Sequence, residues 1–291
     1  MIFKNFSIED PECNLRFIRK SQAQTNPERH FHDSWELLYL SKGYRTFFHG
    51  SQTYTMTEGS LACIAPGILH RGLNRPHETC ELYTIYVLDP QHPTGRTVIE
   101  MLAHWTMHYK PVIQLHQSIR YEIETMLELM GEEIIQKDPW YMQVILGQMT
   151  SLVARICRLL SKDIPNDIPE TKLDYRIQKV IHFIDIQYAK PIRLEDVSEL
   201  VKLSPTYFSK LFFKSTHFHF REYLAFVRVQ KACTLLVKTK TPVYRIAELC
   251  GFGSVTQFGR IFLSIVGQKP LAYRKRSRLV IYDASTDLSK N

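Results

Sequence analysis

Residues Val243–Phe262 read VYRIAELCGFGSVTQFGRIF, and Leu194–Phe212, about 50 residues upstream, read LEDVSELVKLSPTYFSKLF. Each stretch has a short amphipathic segment, a break, and a second segment with two aromatics four apart. Phe208 and Phe212 match Phe258 and Phe262, and residues i and i+4 share one helix face. Leu200 and Leu203 flank the first break, and Gly251 and Phe252 sit at the second. Gly251 suits a left-handed C-cap. Ser204-Pro205 supplies an N-cap followed by proline at the first helical position. Ser254 and Gln257 fit a capping box. Two short helices joined by a tight turn form a helix-turn-helix. The competing account, a helical bundle with a coincidental repeat, has to explain why caps and aromatics recur together.

Between the copies runs Arg221–Lys238, REYLAFVRVQKACTLLVK. Leu224, Val227, Ala232, Leu235 and Leu236 give it an apolar face, so it is predicted as one linker helix. About 18 residues at 1.5 Å each span roughly 27 Å. That length holds two recognition helices about one DNA turn apart on the same side of a duplex. Charge points the same way. The chain has 37 Lys+Arg and 29 Asp+Glu, a net of +8. Residues 1–170 hold 16 basic and 20 acidic residues, a net of −4, and residues 171–291 hold 21 and 9, a net of +12. Cationic side chains release counterions from phosphates, so the second part has the footprint of a nucleic-acid binder. A solubilising surface has the same footprint, and charge alone does not separate the two.

These motifs, with the closing pattern Gly267-Gln-Lys-Pro270-Leu-Ala-Tyr273-Arg274, resemble the DNA-binding domain of AraC/XylS-type transcription regulators over roughly Leu173–Arg276. The resemblance implies sequence-specific binding of double-stranded DNA, usually as an activator, with RNA polymerase as a partner. It implies base-reading side chains on the exposed faces of the two second helices: Thr206, Ser209 and Lys210, then Val255, Thr256, Gln257 and Arg260. Arg or Lys pairs with guanine and Gln with adenine. Two positions depart from the pattern. His217 stands where the second copy has Gly267, which costs strain if the turn is left-handed. Gly259 lies inside the second recognition helix, where it offers no side chain and costs about 1 kcal/mol relative to Ala.

Residues 30–90 alternate in polarity between the turn signals Lys42-Gly43, Gly50-Ser51 and Glu58-Gly59. Trp35–Leu40, Tyr44–His49, Gln52–Thr57, Leu61–Ile64 and Glu81–Leu88 are predicted as strands, and short strands at this spacing build a small barrel or jelly roll. His30-x-His32-x-x-x-Glu36, then Gly43, then Gly59 and Ala65-Pro66-Gly67-Ile-Leu-His70-x-x-x-Asn74, resemble the two cupin motifs. Ala65 replaces the usual first proline. The resemblance implies that His30, His32, Glu36 and His70 point into the barrel, where some cupins bind a divalent metal. His30, His32 and Glu36 share parity, so one strand face is able to carry all three. Three imidazoles and a carboxylate suit zinc, nickel, iron or manganese. A metal, a polar ligand pocket and purely structural histidines remain three open readings. Trp35, Tyr39, Tyr54 and Tyr83 are candidate pocket aromatics, since aromatic faces stack on sugar rings, although core positions account for them equally.

From 97 to 161 the period becomes helical. A shorter helix is predicted around Thr97–Tyr109, followed by one carrying Ile119, Ile123, Met126, Leu127, Met130 and Ile134. A third carries Met142, Ile145, Leu146, Met149, Leu152, Val153, Ile156, Leu159 and Leu160. The last stripe is near heptad spacing, which fits a homodimer seam or packing against the barrel; related regulators often dimerise through this region.

The expected fold is therefore α+β. It comprises a cupin-like barrel at 1–95, a helical segment at 96–161, a linker at 162–171, the double helix-turn-helix domain at 172–278 and a tail at 279–291. A composition of 44% hydrophobic and 12% aromatic residues supports real cores and excludes disorder. The first twenty residues carry charges throughout, so no secretory signal is expected, and no apolar run reaches membrane-spanning length. Six dispersed cysteines without C-x-x-C fit reduced thiols in a cytoplasm. The leading functional expectation is a ligand-responsive transcription regulator with a small-molecule effector, for which a sugar is the first choice, and no enzymatic activity. The rival is a metal-dependent cupin enzyme fused to a DNA-binding module.

Overall fold

The computed structural model describes residues 6–10, 15–22, 34–50, 52–74, 78–87, 93–162, 170–171 and 173–275. The chain separates into two compact units, drawn essentially from residues 1–170 and 171–291. Most of the expected linker, the tail, Cys13, His30 and His32 lie outside the described residues.

The first unit is built on β1 (Phe6–Asp10), β2 (Leu15–Gln22), β3 (Trp35–Lys42), β4 (Tyr44–His49), β5 (Gln52–Thr57), β6 (Ser60–Ile64), β7 (His70–Asn74), β8 (Cys80–Val87) and β9 (Val112–Gln114). One sheet runs β1-β2-β8-β3-β6-β9, and β5, β4 and β7 lie side by side in another. β3 pairs antiparallel with β6 and β8, and β4 with β7.

Alternation divides β3 between two cores. Leu38 lies opposite Ala62 and Thr84, and Leu40 opposite Ser60 and Leu82. Leu38 and Leu40 join Phe47, Tyr54, Met56, Ala62, Ile64, Cys80 and Leu82 in a cluster drawn from both sheets, which is the barrel interior. Leu37 and Tyr39 project from the opposite face. They join Leu61, Cys63, Tyr83 and Ile85 beneath three helices: α1 (Pro93–His108), α2 (Gln117–Gln136) and α3 (Tyr141–Leu160). A strand buried on both faces loses the polar half of its alternation, and β3 is buried throughout Glu36–Leu40.

The near-heptad stripe of α3 packs within the chain. Ile145, Met149, Leu152, Val153, Ile156 and Leu160 are buried in the cluster that also holds Ile123, Leu127 and Met130 of α2 and the outer-face residues of the sheet. The uncovered sheet face competes for the same stripe within one chain. Burying one such side chain stabilises by about 1.5–3 kcal/mol.

The second unit is helical: α4 (Tyr175–Gln187), α5 (Leu194–Leu200), α6 (Pro205–Thr216), α7 (Phe220–Lys238), α8 (Val243–Leu249) and α9 (Val255–Val266). The two turns close alike. After α5, Lys202 N–H donates to Glu199 O at 2.9 Å and Leu203 N–H to Ser198 O at 2.9 Å. After α8, Gly251 N–H donates to Glu248 O at 2.9 Å and Phe252 N–H to Ala247 O at 3.0 Å. This nested pair is a Schellman motif with its left-handed residue at C′, filled by Lys202 at φ 55° in one copy and Gly251 at φ 77° in the other. His217 adopts the conformation of Gly267, with φ 61° against 76°, so the first copy does carry the expected strain.

Gly251 and Gly267 share a backbone conformation but not a neighbourhood. A Cβ on Gly251 would meet Ala189 O at 2.6 Å, and one on Gly267 would meet nothing within 4 Å. Gly267→Ala is expected to cost about 1 kcal/mol, the left-handed penalty alone. Gly251→Ala is expected to cost about 3 kcal/mol, because backbone must also move. Urea denaturation followed by circular dichroism checks the ranking; equal costs would show that the contact with Ala189 is irrelevant.

Candidate functional site

The second helix of each helix-turn-helix is held by its aromatics. Phe208 and Phe212 are fully buried, with ring centroids 5.5 Å apart, and Phe212 packs edge-on against Phe220 and Tyr223 of α7 at 6.2 and 5.5 Å. Phe258 and Phe262 are likewise fully buried, 5.4 Å apart, and Phe262 packs on Tyr273 at 5.7 Å. The closing pattern is thus structural. Arg274 beside it donates from Nε to Leu236 O at 3.2 Å and from Nη2 to Thr241 O.

Fixing one face inward turns the other outward. Thr206 and Lys210 are exposed and Ser209 is half-buried. Val255, Thr256, Gln257 and Arg260 are exposed, and Gly259 is half-buried in the place of Ser209. A Cβ at Gly259 would meet nothing within 4 Å, so internal packing does not require glycine there. All seven expected base-reading residues lie on the outward faces of α6 and α9. The same faces carry exposed apolar residues that the sequence did not single out: Phe213 and Leu263, seven residues after Thr206 and Thr256.

The caps follow expectation with one change. Ser204 Oγ accepts from Tyr207 N–H, and Ser254 Oγ accepts from Gln257 N–H at 3.1 Å. Gln257 Oε1, however, accepts from Gly253 N–H at 3.2 Å, one residue ahead of the N-cap. The second turn is one residue longer than the first, and Gln257 serves that extra residue. Its oxygen is therefore engaged in the free protein, which opposes two-point adenine reading.

In the first unit, Glu36 and His70 meet inside the barrel. His70 Nε2 lies 3.1 Å from Glu36 Oε2, with side-chain exposures of 3% and 4%, and His70 Nδ1 lies 2.9 Å from Ile68 O. Trp35 and Tyr39 do not line this site. Their opposite parity sends both under the helices, where Tyr39 Oη donates to Glu124 at 2.6 Å. Burial, followed by the Glu124 contact, raises the Tyr39 pKa well above that of an ordinary phenol. Tyr83 belongs to the same outer cluster as Tyr39, whereas Tyr54 belongs to the interior.

Two residues absent from the sequence-based set join Glu36 and His70. β4 pairs with β7 so that Arg45 lies opposite Asn74, Phe47 opposite Gly72 and His49 opposite His70. Phe47 belongs to the interior cluster, so Arg45 and His49 share its face. Burial, then the neighbouring His70, pulls the His49 pKa down to about 4. Burial also lowers the Arg45 pKa, opposed by the charges of Cys80 and Glu36. No glycine or charge pattern marks these positions as a pair; only the register does.

His30 and His32, two of the four expected metal ligands, lie outside the described residues. Among the described residues, no three His, Cys, Asp or Glu side chains are grouped to hold a metal ion. The Glu36–His70 pair supplies two donors, and the adjoining guanidinium opposes a further cation.

Comparison with known proteins agrees with this architecture. A model described as a helix-turn-helix domain matches residues 197–276, and one described as an AraC-like ligand binding domain matches residues 12–91. The uncharacterized HTH-type transcriptional regulator YpdC of Escherichia coli K12 is 28% identical over 170 residues, 58% of each chain. YijO of the same strain is 26% identical over 229 residues, 76% of this chain and 75% of its own. The lactose operon transcription activator of Staphylococcus xylosus is 25% identical over 232 residues, 78% of each. The match to YpdC thus spans little more than half of that relative. The chain belongs to the AraC family of transcriptional regulators. Among the described residues, no helix is long and apolar enough to cross a membrane.

Burying neutral His49 has a pH consequence. Its folded pKa of about 4 lies below the ordinary 6.5, so the unfolded ring takes up a proton first as acid is added. The stability is complete above pH 6.5 and is lost as pH falls toward 4. His49→Gln is expected to flatten the decline in thermal midpoint over that window. An unchanged slope would mean that His49 is not held neutral.

Proposed function

We propose that this protein is a ligand-responsive, sequence-specific regulator of transcription, acting as an activator of a carbohydrate or other metabolic operon. α6 and α9 enter the major groove of promoter DNA, and the barrel interior binds the small-molecule effector. The observation that carries the proposal is the repeated outward face: Thr206, Ser209 and Lys210 on α6, matched by Thr256 and Arg260 on α9, each held by a buried aromatic pair behind it. The net charge of +12 on residues 171–291 supplies the phosphate attraction. Phe213 and Leu263 add apolar surface suited to thymine methyl groups. The name of the lactose operon relative supports a carbohydrate operon.

Effector control requires that the ligand bind two arrangements of the regulator with different affinity. A homodimer and an RNA polymerase contact complete the proposed assembly, in the cytoplasm. The α3 stripe is buried within the chain, so the proposed homodimer would use another surface. The rival, a metal-dependent enzyme, has among the described residues only the two donors Glu36 and His70 in its support.

Full-length protein is first used to select its preferred duplex from random sequence. Arg260→Ala is then expected to relax preference at one base pair, at a cost of about 1–3 kcal/mol. Affinities on the selected duplex and single-base variants provide the check. Equal weakening on every duplex would make Arg260 a phosphate contact, and no effect at all would remove α9 from the interface.

A further inference from the structure

Among the described residues, Arg45 is a charged group without an ion pair. Its side chain lies over Gly72, where a Cβ would fall 1.8 Å from Arg45 Nε. Glycine at 72 therefore makes the room the guanidinium occupies. A guanidinium has five N–H donors, and one of them has an acceptor, Nη2 bonding Gly72 O at 3.1 Å. Nε is buried with no partner. Glu36 is close enough to act on Arg45 through its charge, yet that carboxylate is taken by His70 at 3.1 Å. Four residues along the same strand face, His49 Nε2 is also buried without a partner among the described residues.

Leaving such donors buried and unpaired costs stability. Apolar Phe47, Leu38, Leu40 and Ile64 complete the interior, and none of them repays that cost. The residue as a whole is half-buried, so part of it stays open to a solute. A planar fork of N–H donors in a low-dielectric wall suits an oxyanion, which it grips at two points. The neutral imidazole of His49, farther along the same strand face, offers a further hydrogen bond to a longer ligand. Glu36 would repel an anion, and His70 blunts this by engaging the carboxylate.

We infer that Arg45 is the recognition residue for the barrel's ligand, and that this ligand is a small polar metabolite carrying an oxyanion, a carboxylate or a phosphate, rather than a neutral sugar. The inference rests on the proposal that the barrel binds an effector, and it narrows the class of that effector.

Thermal unfolding of the full chain tests it. Without ligand, Arg45→Met is expected to raise the midpoint by about 2 °C or more, since a half-buried charge with an unpartnered buried Nε is replaced by an apolar side chain of similar length. A lower midpoint would make Arg45 structural and overturn the inference. Glucuronate, galacturonate and glucose 6-phosphate are then compared with glucose and galactose. At least one oxyanion compound is expected to raise the wild-type midpoint by about 5 °C at roughly 100-fold excess over its dissociation constant, with the neutral sugars inactive. Which of the acids responds separates carboxylate from phosphate. Arg45→Met should abolish the shift, and Arg45→Lys, which keeps the charge without the fork, should weaken binding about tenfold. Neutral sugars acting as strongly as the acids, a shift surviving in Arg45→Met, or no shift with any of the three acids would overturn the inference. DNA binding measured on the same samples keeps the regulator proposal separate. If that binding responds to a neutral sugar, the inference fails and the regulator stands; if the acids shift the midpoint but never DNA binding, Arg45 stands and effector control fails.

Discussion

The second unit depends on one constraint: two phenylalanines four residues apart must be buried in each recognition helix. Phe208 with Phe212 and Phe258 with Phe262 have no exposure, and aromatic pairs of this kind add about 0.5–1.5 kcal/mol beyond their area. Once those faces are committed, the rotation of α6 and α9 about their own axes is set. The outward residues follow from that rotation. The Schellman turns before them and α7 between them then set where the two faces stand. The proposed DNA-reading faces are thus a by-product of core packing, repeated twice in one chain.

The barrel obeys a different periodicity with the same logic. Alternation along β3 assigns Leu38 and Leu40 to one core and Leu37 and Tyr39 to another. The polar cluster of Glu36, His70, Arg45 and His49 is confined to the interior face by register. The helices α1 to α3 exist to cover the other face, which is why a stripe with coiled-coil spacing ends up inside one chain.

Legibility from sequence differed between the two units for physical reasons. In the helical unit, caps, breaks and aromatic spacing are local signals, so Ser204-Pro205, Gly251 and the paired phenylalanines announced the turns directly. Lys202 was invisible because a lysine in a left-handed turn carries no local mark. In the barrel, turn signals and apolar runs mark off β3, β4, β5, β6 and β8, but not β2 or β7. Glu36 and His70 were legible by motif. Trp35 and Tyr39 face the helices because parity, not aromatic character, decides which side of β3 a residue takes. Arg45 and His49 became candidates only once β4 was registered against β7, since nothing local tells which strand lies opposite.

The central claim is that the repeat makes two equivalent DNA-reading helices on one side of one molecule. Hydroxyl-radical footprinting of the full-length protein on its selected duplex tests this directly. The account requires two protected patches per protein copy on the same side of the duplex, about one helical turn apart. A single patch per copy, or two patches on opposite sides, would contradict it.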